Sequence, residues 1–569
     1  MAPQSDQPPS TPSVALRDIA DRYWEARLEA SPLFASFLGD HRYDDRADDL
    51  SEAAAAGQRA SWVALHAEAE SVDLEGLDAT DRVTRSLLLG ELEDAVTSID
   101  ERLIELTSDQ MQGIHAELLT MAGQLAAPEP EHAAMAVTRI GALAAMLDQA
   151  AERFRAGLRS GRTPARINVE RSLNQVDGYL ESPVESDPFA NLTGPVAWAG
   201  EAKWRGEMNN AVQSHLRPAF ARYRDMLANE LLPVARPDEQ AGLQWLSDGP
   251  HLYRTLIRLH TGLALTAEEL HEIGRHEVTE VLPEQYREIG QRQFGTADLA
   301  EIFRHLLEDP DLRYLDADEI LAHARLCLDE ATALMDDWFG ILPQAPCVLT
   351  PIPSYLAADA PAAYYTPPAP DGSRPGEYHV NLHEPTTKSR AETASIAFHE
   401  AIPGHHLQLA IAAECTDLPA FRRLSWGHTA YVEGWALYTE RLAEEMGLYR
   451  TDVDRLDMLA SDSWRACRLV VDTGLHAMGW SRQQAIDFMV EHAPVSREEI
   501  EVEIDRYIGM PGQALAYKVG QREILRLRAA AELRLGERFS LPAFHDVVLG
   551  AATVSLPVLT ARVEAWTGV

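Results

Sequence analysis

A histidine–glutamate pair followed by two more histidines lies in the segment 391–406. Neutral imidazoles are common zinc ligands, and a carboxylate next to one of them can accept a proton from the attacking water without binding the metal itself. His399 is therefore the first ligand candidate, and Glu400 is the candidate general base. These residue types predict a hydrolytic site with Zn²⁺ as the cofactor.

The spacing differs from the common HExxH pattern, because Pro403 stands where the second histidine would be. In a regular helix, at ~100° and ~1.5 Å per residue, His405 would point ~120° away from His399, and His406 would lie ~10 Å along the axis. Pro403 cannot donate the helical hydrogen bond, and Gly404 tolerates unusual backbone angles, so this pair could break or bulge the helix and return an imidazole. The alternative is a capped helix end with solvated histidines.

A third ligand is expected from the segment 429–440, where Glu433 begins an amphipathic helix. Its apolar neighbours can pack inward and hold the carboxylate against the histidine-bearing helix. Glu440 lies one heptad later on the same face and could support a ligand from behind. A surface charge is the alternative for either glutamate.

Another segment carries a group that could stabilise an oxyanion. Arg468, Asp472 and His476 recur at intervals of four, so one helix face would carry all three side chains. An aspartate can hold an imidazolium in place for this role, although such ladders are often only structural. His476 is therefore a candidate for the oxyanion donor.

The segment 507–518 offers two tyrosines around a Pro-Gly helix start. Tyr507 precedes this start, and Gln513 and Tyr517 lie just inside it. A tyrosine hydroxyl so placed can donate a hydrogen bond to a tetrahedral oxyanion, whereas tyrosines that only pack are commoner. Tyr507 and Tyr517 therefore join the candidates.

The elements that must position these residues are mainly α-helical, because apolar residues recur at intervals of three and four along most of the chain. The predicted helices are 14–30, 81–106, 131–161, 203–232, 267–282, 317–339, 431–446, 455–478 and 513–535. The exception is 347–382, where 347–353 and 377–382 are typical of short strands around a Pro- and Gly-rich loop. A small sheet is predicted just before the histidine-bearing helix.

The charge balance argues against nucleic acid as a partner. Asp and Glu number 89 against 50 Lys and Arg, which gives a formal net charge of −39. Such a surface repels phosphate backbones and anionic lipid. No stretch approaches the ~18 consecutive apolar residues of a membrane span, so no membrane partner is predicted. The four dispersed cysteines indicate neither a zinc ribbon nor a disulfide framework.

The domain organisation predicted from the sequence is simple. Residues 1–13 are rich in Pro, Ser and Gln and are expected to form a disordered leader. No export signal is visible there, which predicts a cytoplasmic protein. Helical patterning then continues without a long linker, so residues 14–569 are predicted to form one unit.

Taken together, these segments resemble the bacterial domain-of-unknown-function family 885, which belongs with the zincin-like, gluzincin-type metallopeptidases. The resemblance is carried by 38–45, 376–382, 399–408, 433–436, 468–476 and 511–514, and it covers almost the whole chain. It implies a mainly α, two-lobed helical body with a deep groove and a small sheet beside the active-site helix. Residues 14–340 would form a mostly helical lobe and 341–569 the half that holds the metal.

The resemblance also implies roles for particular residues. In the related peptidases a Gly-His dipeptide carries the second ligand, and aligning it with Gly404-His405 favours His405 over His406. The strand 377–382 would be an edge strand that binds the peptide main chain by β-augmentation. The expected substrate-binding residues are Tyr365, Tyr378, Asn381 and Gln513.

The function predicted from the sequence is a zinc-dependent peptidase that acts on oligopeptides. Zinc would polarise the scissile carbonyl, and Glu400 would pass a proton from water to the leaving amine. His399, His405 and Glu433 would hold the metal. One alternative is a metallo-carboxypeptidase, which needs an Arg or Lys for the terminal carboxylate of its substrate. Another is a catalytically silent peptide-binding protein, and the oligomeric state stays open.

Overall fold

The computed structural model describes residues 11–353, 357, 360–370, 372, 374–425 and 427–568. Helices precede the sheet over a long stretch of chain. Their bounds are α1 Pro12–Ala30, α2 Pro32–Phe37, α3 Glu52–Glu70, α4 Ala79–Asp100, α5 Ile114–Ala122, α6 Pro130–Arg159, α7 Arg166–Glu181, α8 Glu201–Ala211, α9 Arg217–Met226, α10 Gly249–Thr261, α11 Ala267–His276, α12 Leu282–Gln293, α13 Leu299–Glu308 and α14 Ala317–Trp338.

Helices also follow the sheet to the end of the described chain. Their bounds are α15 Ala394–Glu400, α16 His405–Glu414, α17 Ala420–Leu424, α18 Thr429–Glu445, α19 Asp452–Ala477, α20 Arg482–His492, α21 Arg497–Gly509, α22 Ala516–Leu535, α23 Leu541–Leu549 and α24 Leu556–Thr567. The chain is therefore mainly α, as the sequence predicts. In the part that the structure describes, no helix has the length and apolar character needed to cross a bilayer.

Local sequence explains where the helices begin. The Thr11 side chain accepts a hydrogen bond from the Val14 amide, which fixes the start of α1 at Pro12. The last two residues of the predicted leader are thus helical, and residues 1–10 lie outside the described chain. A capping box at Thr451 starts α19 in the same way.

The small sheet has three strands, β1 Cys347–Pro351, β2 Ala363–Thr366 and β3 Gly376–Val380. Their order is β1-β3-β2, with β3 parallel to β1 and antiparallel to β2. The predicted strand 377–382 is thus central and not an edge strand, because β2 forms within the Pro- and Gly-rich segment that was expected to be a loop. A peptide cannot pair with β3 by β-augmentation while both neighbours are in place.

Among the described residues, buried apolar side chains form two clusters. The smaller one lies mostly between Ile114 and Ala235, where α5 to α9 pack together. The larger one draws on the rest of the chain from Leu16 to Val563 and includes the sheet. The boundary between the clusters does not coincide with the expected division near residue 340, since α10 to α14 share the core of the later helices.

Candidate metal centre

A sharp break between α15 and α16 separates the two histidines that the sequence singled out. Helix α15 ends at Glu400 and α16 begins at His405, so Pro403 and Gly404 break the helix rather than bulge it. Gly404 has a φ of −79°, so it does not serve a positive φ. It is needed for space, because a Cβ there would lie 1.9 Å from the carbonyl oxygen of His399.

The break brings two imidazoles to one carboxylate. The Nε2 atoms of His399 and His405 each lie 3.6 Å from Oε2 of Glu433. The two rings are 4.8 Å apart and nearly perpendicular, at 89°. One ligand atom from each of the three residues lies within 4.8 Å of the others, so a single ion could contact all three.

Glu440 supports this cluster from behind. Its Oε1 lies 2.8 Å from Nδ1 of His399, so the imidazole can donate through Nδ1, which orients the ring with Nε2 toward Glu433. Burial alone would lower the pKa of His399, but the carboxylates of Glu433 and Glu440 outweigh this and raise the pKa to about 9. Burial favours a neutral Glu433, yet the two histidines hold its pKa well below the usual value.

Glu400 lies next to this cluster at the end of α15. Burial raises its pKa above the usual value, and Glu433 adds to this, while His399, His405 and Arg465 oppose it. A carboxyl group whose pKa lies nearer to neutrality can both accept and return a proton. Its position in the sequence and its surroundings both suit a general base.

His406 points away from the cluster. Its Nδ1 lies 2.9 Å from the Tyr365 hydroxyl, and its Nε2 lies 3.1 Å from the carbonyl oxygen of Ala345. Gly376 makes room for this contact, because a Cβ there would lie 2.5 Å from both Nδ1 of His406 and the Tyr365 hydroxyl. Of the two adjacent histidines, His405 is therefore the one that faces Glu433.

Close packing of α18 against α22 places Tyr517 beside the cluster. A Cβ on Gly434 would lie 2.4 Å from the backbone of Gly520, so glycine on each helix allows the two backbones to approach. The Tyr517 ring then lies 6.4 Å from the His399 ring, at an interplanar angle of 20°. Burial, with the Glu433 carboxylate, raises the pKa of Tyr517, so its hydroxyl is a proton donor at neutral pH.

His476 does not join the cluster. Its Nδ1 accepts a hydrogen bond from the Leu243 amide at 3.1 Å, and its Nε2 lies 3.0 Å from the carbonyl oxygen of Tyr507. Asp472 binds the Tyr253 hydroxyl and the Gly512 amide instead of the imidazole. Burial lowers the pKa of His476 to about 3, so the ring is neutral. The expected role of His476 as an oxyanion-stabilising imidazolium is therefore wrong.

Tyr507 is also fully engaged within the fold. Its hydroxyl donates to Glu503 at 2.6 Å and accepts from Nε1 of Trp464 and Nε of Arg468. The side chain is completely buried. A hydroxyl with three protein partners has no capacity left for a substrate oxygen. The expected oxyanion role of Tyr507 is therefore wrong, and the residue is structural.

Two expected substrate-binding residues belong to the core of the sheet region. Tyr378 lies on the central strand and is fully buried. Asn381 is 3% exposed, and its amide donates to the carbonyl oxygens of Ala357 and Ala360. Asn381 is therefore a structural residue that holds the preceding loop in place, whereas Tyr378 packs in the core and its binding role stays a prediction.

The other two expected substrate-binding residues contact groups near the cluster. Tyr365 contacts His406, which follows His405 in sequence and points away from the cluster. Gln513 accepts a hydrogen bond from Nη1 of Arg506 at 2.9 Å. Sequence reasoning missed Arg465, whose charge acts on Glu400. The only signal for it was its position three residues before Arg468 on a predicted helix.

A second group of possible ligands is formed by earlier parts of the chain, and two of its three members lie in the segment 38–45 that carries the family resemblance. His41, Asp44 and His132 place one ligand atom each within 4.8 Å of the others. Asp44 already accepts from Ser36 and Arg139 and contacts Nδ1 of His41 at 2.8 Å. A guanidinium at this carboxylate disfavours a second cation there, so the arrangement fits a structural ion-pair network better.

Comparison with known proteins agrees with the fold. A structure from Colwellia psychrerythraea, of a protein provisionally described as a lipoprotein, has a TM-score of 0.90 and 27% identity over 98% of this chain and 99% of that chain. Another, from Shewanella oneidensis, is described as a provisional lipoprotein of unknown function. It has a TM-score of 0.73 and 19% identity over 96% of this chain and 99% of that chain, which shows a shared fold.

The family comparison covers nearly all of the sequence. No curated protein matches the chain. The model of the family described as bacterial protein of unknown function (DUF885) matches residues 32–563. The match includes the histidine-bearing break, Glu433 and the helices behind them, so the chain belongs to the DUF885 family.

Proposed function

We propose that this protein is a zinc-dependent peptidase that hydrolyses oligopeptides. The observation that carries the proposal is the convergence of two imidazole nitrogens on one carboxylate, with a second carboxylate, Glu400, adjacent to the first histidine. Two histidines and a glutamate with room for a water are a common ligand set of hydrolytic zinc. The zincin-like, two-lobed arrangement with a substrate groove is part of this proposal.

The donor set suits zinc better than a hard cation. Imidazole nitrogen is a poor ligand for Ca²⁺ or Mg²⁺, which prefer oxygen, whereas Zn²⁺ accepts both nitrogen and carboxylate oxygen. The contact from Glu440 to His399 is the usual way in which a protein orients a metal-binding imidazole. His399, His405 and Glu433 would hold the ion.

When bound, zinc would polarise the scissile carbonyl and acidify the attacking water. Glu400 would take a proton from that water at a carboxylate oxygen and return it to the leaving amine nitrogen. Tyr517 would donate its hydroxyl hydrogen to the developing oxyanion, because it is the tyrosine of the two predicted candidates that lies beside His399. Glu440 would keep the His399 ring in place throughout.

A second candidate function, metallo-carboxypeptidase, also has an observation in its favour. Such an enzyme needs a cationic side chain for the terminal carboxylate of its substrate, and Arg465 acts electrostatically on Glu400. A catalytically silent peptide-binding protein would use the same surroundings without turnover. It would have no need for a general base beside a metal-binding histidine.

We also propose a cytoplasmic location. The four cysteines are free, which suits a reducing compartment. The similar structures come from proteins provisionally described as lipoproteins, so the location needs its own test. Fractionation of the native cells should recover the protein in the cytoplasmic fraction, and recovery with the membranes after a salt wash would contradict the proposal.

The test of the proposed reaction compares wild type with Glu400→Gln. Both proteins are purified without added zinc, and metal content is measured by mass spectrometry, while a peptide mixture reports hydrolysis. The variant should retain wild-type zinc and lose hydrolysis, because it keeps the three ligands and removes only the base. Wild-type turnover by Glu400→Gln would show that Glu400 is not the base, and absence of zinc from both proteins would contradict the metal site.

A further inference from the structure

Arg468 and its neighbour Arg465 lie close to Tyr517. Arg468 places its guanidinium carbon 4.4 Å from the centre of the Tyr517 ring, and Tyr517 itself adjoins His399. Arg465 precedes Arg468 by one turn of α19, and both guanidinium groups lie over the Trp464 ring at 5.1 and 5.3 Å. We call Arg465 and Arg468 the arginine pair.

The arginine pair has unused hydrogen-bond donors. Arg468 is 4% exposed, donates to Tyr507 and Glu503, and leaves Nη1 buried without a partner. Arg465 donates from Nη1 to Ser461 at 2.8 Å and leaves Nε buried without a partner. Within the described chain no carboxylate lies at ion-pair distance from Arg465, and buried donors of a charged group are costly to leave unpaired.

Charge is also unbalanced around the arginine pair. Glu503 is the carboxylate that contacts Arg468, and it is shared with Arg506, which binds it through Nε and Nη2. These arginines hold the pKa of Glu503 well below its usual value despite burial. Two guanidinium groups thus share one carboxylate, and Arg465 has no carboxylate at ion-pair distance in the described chain, although the net charge of the chain is −39. Of the nearby carboxylates, Glu433 would be engaged by the proposed ion, and Glu400 lies beyond ion-pair distance from Arg465.

We propose that the arginine pair is a subsite for a carboxylate of the substrate, and that this is the terminal carboxylate of a peptide. The proposal rests on the proposed peptidase function and would make the enzyme a carboxypeptidase-type exopeptidase. A planar guanidinium with free donors binds a carboxylate through paired hydrogen bonds. An acidic side chain of the substrate presents the same chemistry and is the other possible source.

The position of the arginine pair agrees with this assignment. Arg468 lies against one neighbour of the metal cluster, because the Tyr517 ring contacts both its guanidinium group and the His399 ring. An extended peptide advances ~3.5 Å per residue, so a carboxylate at the pair would belong to a residue close to the scissile bond. Cleavage should therefore release a short fragment from the carboxyl end.

The experiment measures binding apart from turnover, in the zinc-loaded Glu400→Gln background. The probes are two mixtures of short peptides of randomised sequence, identical except that one carries free carboxyl ends and the other carboxyl-terminal amides. Peptides retained with the protein in ultrafiltration are quantified by mass spectrometry. The free acids should be enriched roughly tenfold to hundredfold over the amides, as charged hydrogen bonds of this kind imply.

Variants assign the enrichment to the arginine pair. Arg465→Gln should remove most of the preference for free acids, and Arg468→Gln should do so as well if it folds. Arg455→Gln is the matched control, because Arg455 lies on the same helix but pairs with Glu444 and Asp452. Zinc content and circular dichroism are measured for each protein, so that a folding defect is recognised.

The outcomes distinguish a subsite for the terminal carboxylate from a subsite for acidic side chains and from no subsite. Equal retention of acids and amides, or a preference that persists in Arg465→Gln, would overturn the subsite. Enrichment of amides that contain Asp or Glu would support a carboxylate subsite and assign it to substrate side chains. If wild type holds no zinc and cleaves neither mixture while the acid preference remains, the peptidase proposal fails and the subsite stands.

Discussion

The cluster of His399, His405 and Glu433 and the network of Asp472, His476 and Tyr507 contain the same kinds of side chain. In the network each polar group has a partner within the fold, and both nitrogens of His476 contact the backbone. In the cluster the Nε2 atoms approach Glu433 at 3.6 Å, beyond ordinary hydrogen-bond length. Polar groups whose hydrogen bonds are all made within the protein rigidify its core. Polar groups that converge without hydrogen-bonding to one another indicate a place for a ligand.

The pKa shifts of the histidines also distinguish the two regions. Burial drives the pKa of His476 down to about 3, so the network avoids charge. Carboxylates drive the pKa of His399 up to about 9, so the cluster attracts positive charge. A divalent cation would supply that charge without a proton. The difference teaches that a histidine one helical turn after an aspartate is weak evidence for a catalytic role until its neighbours in space are known.

The largest contrast is expected from replacing one carboxyl group by an amide in each region. Glu433→Gln should lose stoichiometric zinc, because the amide is a far weaker ligand than the carboxylate. Asp472→Asn should keep its zinc and lose about 2 kcal/mol of unfolding free energy through its buried hydrogen bonds to Tyr253 and Gly512. Metal analysis and urea unfolding measure the two effects. Zinc loss from Asp472→Asn, or full zinc in Glu433→Gln, would contradict the separation.

The helix break should be the next most sensitive feature. Gly404→Ala places a methyl group against the carbonyl oxygen of His399, so the two histidines must move relative to each other. Hydrolysis should slow by about a hundredfold, as expected for a displacement of ~1 Å at a reactive centre, and zinc should bind more weakly. Gly141→Ala in α6 is the control, because nothing lies within 4 Å of its Cβ position. Equal loss in the control would rule out the break as the cause.

Glu440 should have a smaller effect. Glu440→Gln removes the carboxylate that holds Nδ1 of His399 but leaves all three proposed ligands. Zinc affinity should fall roughly tenfold to hundredfold, the usual range for such a supporting residue. Competition with a fluorescent chelator measures the change, and Glu445→Gln, on the exposed end of the same helix, is the control. An unchanged affinity would remove Glu440 from the site.

The last contrast concerns the pH dependence of stability, which involves the network alone and leaves zinc and turnover unchanged at neutral pH. The pKa of His476 is about 3 in the folded protein against an ordinary 6.5, because burial, with the charge of Arg236, disfavours the imidazolium. Between these values the unfolded chain binds more protons, so the free energy of unfolding falls as the pH falls. His476→Gln should flatten that slope by about 1.4 kcal/mol per pH unit between about pH 6 and pH 4. An identical slope in urea titrations would contradict the neutral, buried ring.

Much of the fold and part of the site could be predicted from the sequence. Helical periodicity predicted α6 at 131–161 against the observed Pro130–Arg159, and α14 at 317–339 against Ala317–Trp338. The grouping of His399, His405 and Glu433 was also expected from residue types and family resemblance. The helix predictions rest on local spacing, which the chain keeps when it folds, whereas the grouping of the site residues rests on residue types and the resemblance.

The remaining errors arise from contacts between distant segments. The spacing of Asp472 and His476 placed them on one helix face, but Tyr253 and Leu243, far away in sequence, take their hydrogen bonds. Strand β2 lies in a Pro-rich segment that shows no clear alternation of polar and apolar residues, so the sequence did not predict that β3 is the central strand. Two adjacent histidines after a Pro-Gly break cannot be told apart without the backbone angles of the break itself.

The central claim is that the helix break turns His405 toward Glu433 and His406 away from it. The most direct measurement is the zinc content of wild type, His405→Ala and His406→Ala, purified side by side without added metal and analysed by mass spectrometry. Wild type should hold one zinc per chain, His405→Ala should hold almost none, and His406→Ala should hold the wild-type amount, since its imidazole contacts Tyr365 and the Ala345 carbonyl. Zinc retained by His405→Ala and lost by His406→Ala would contradict the account.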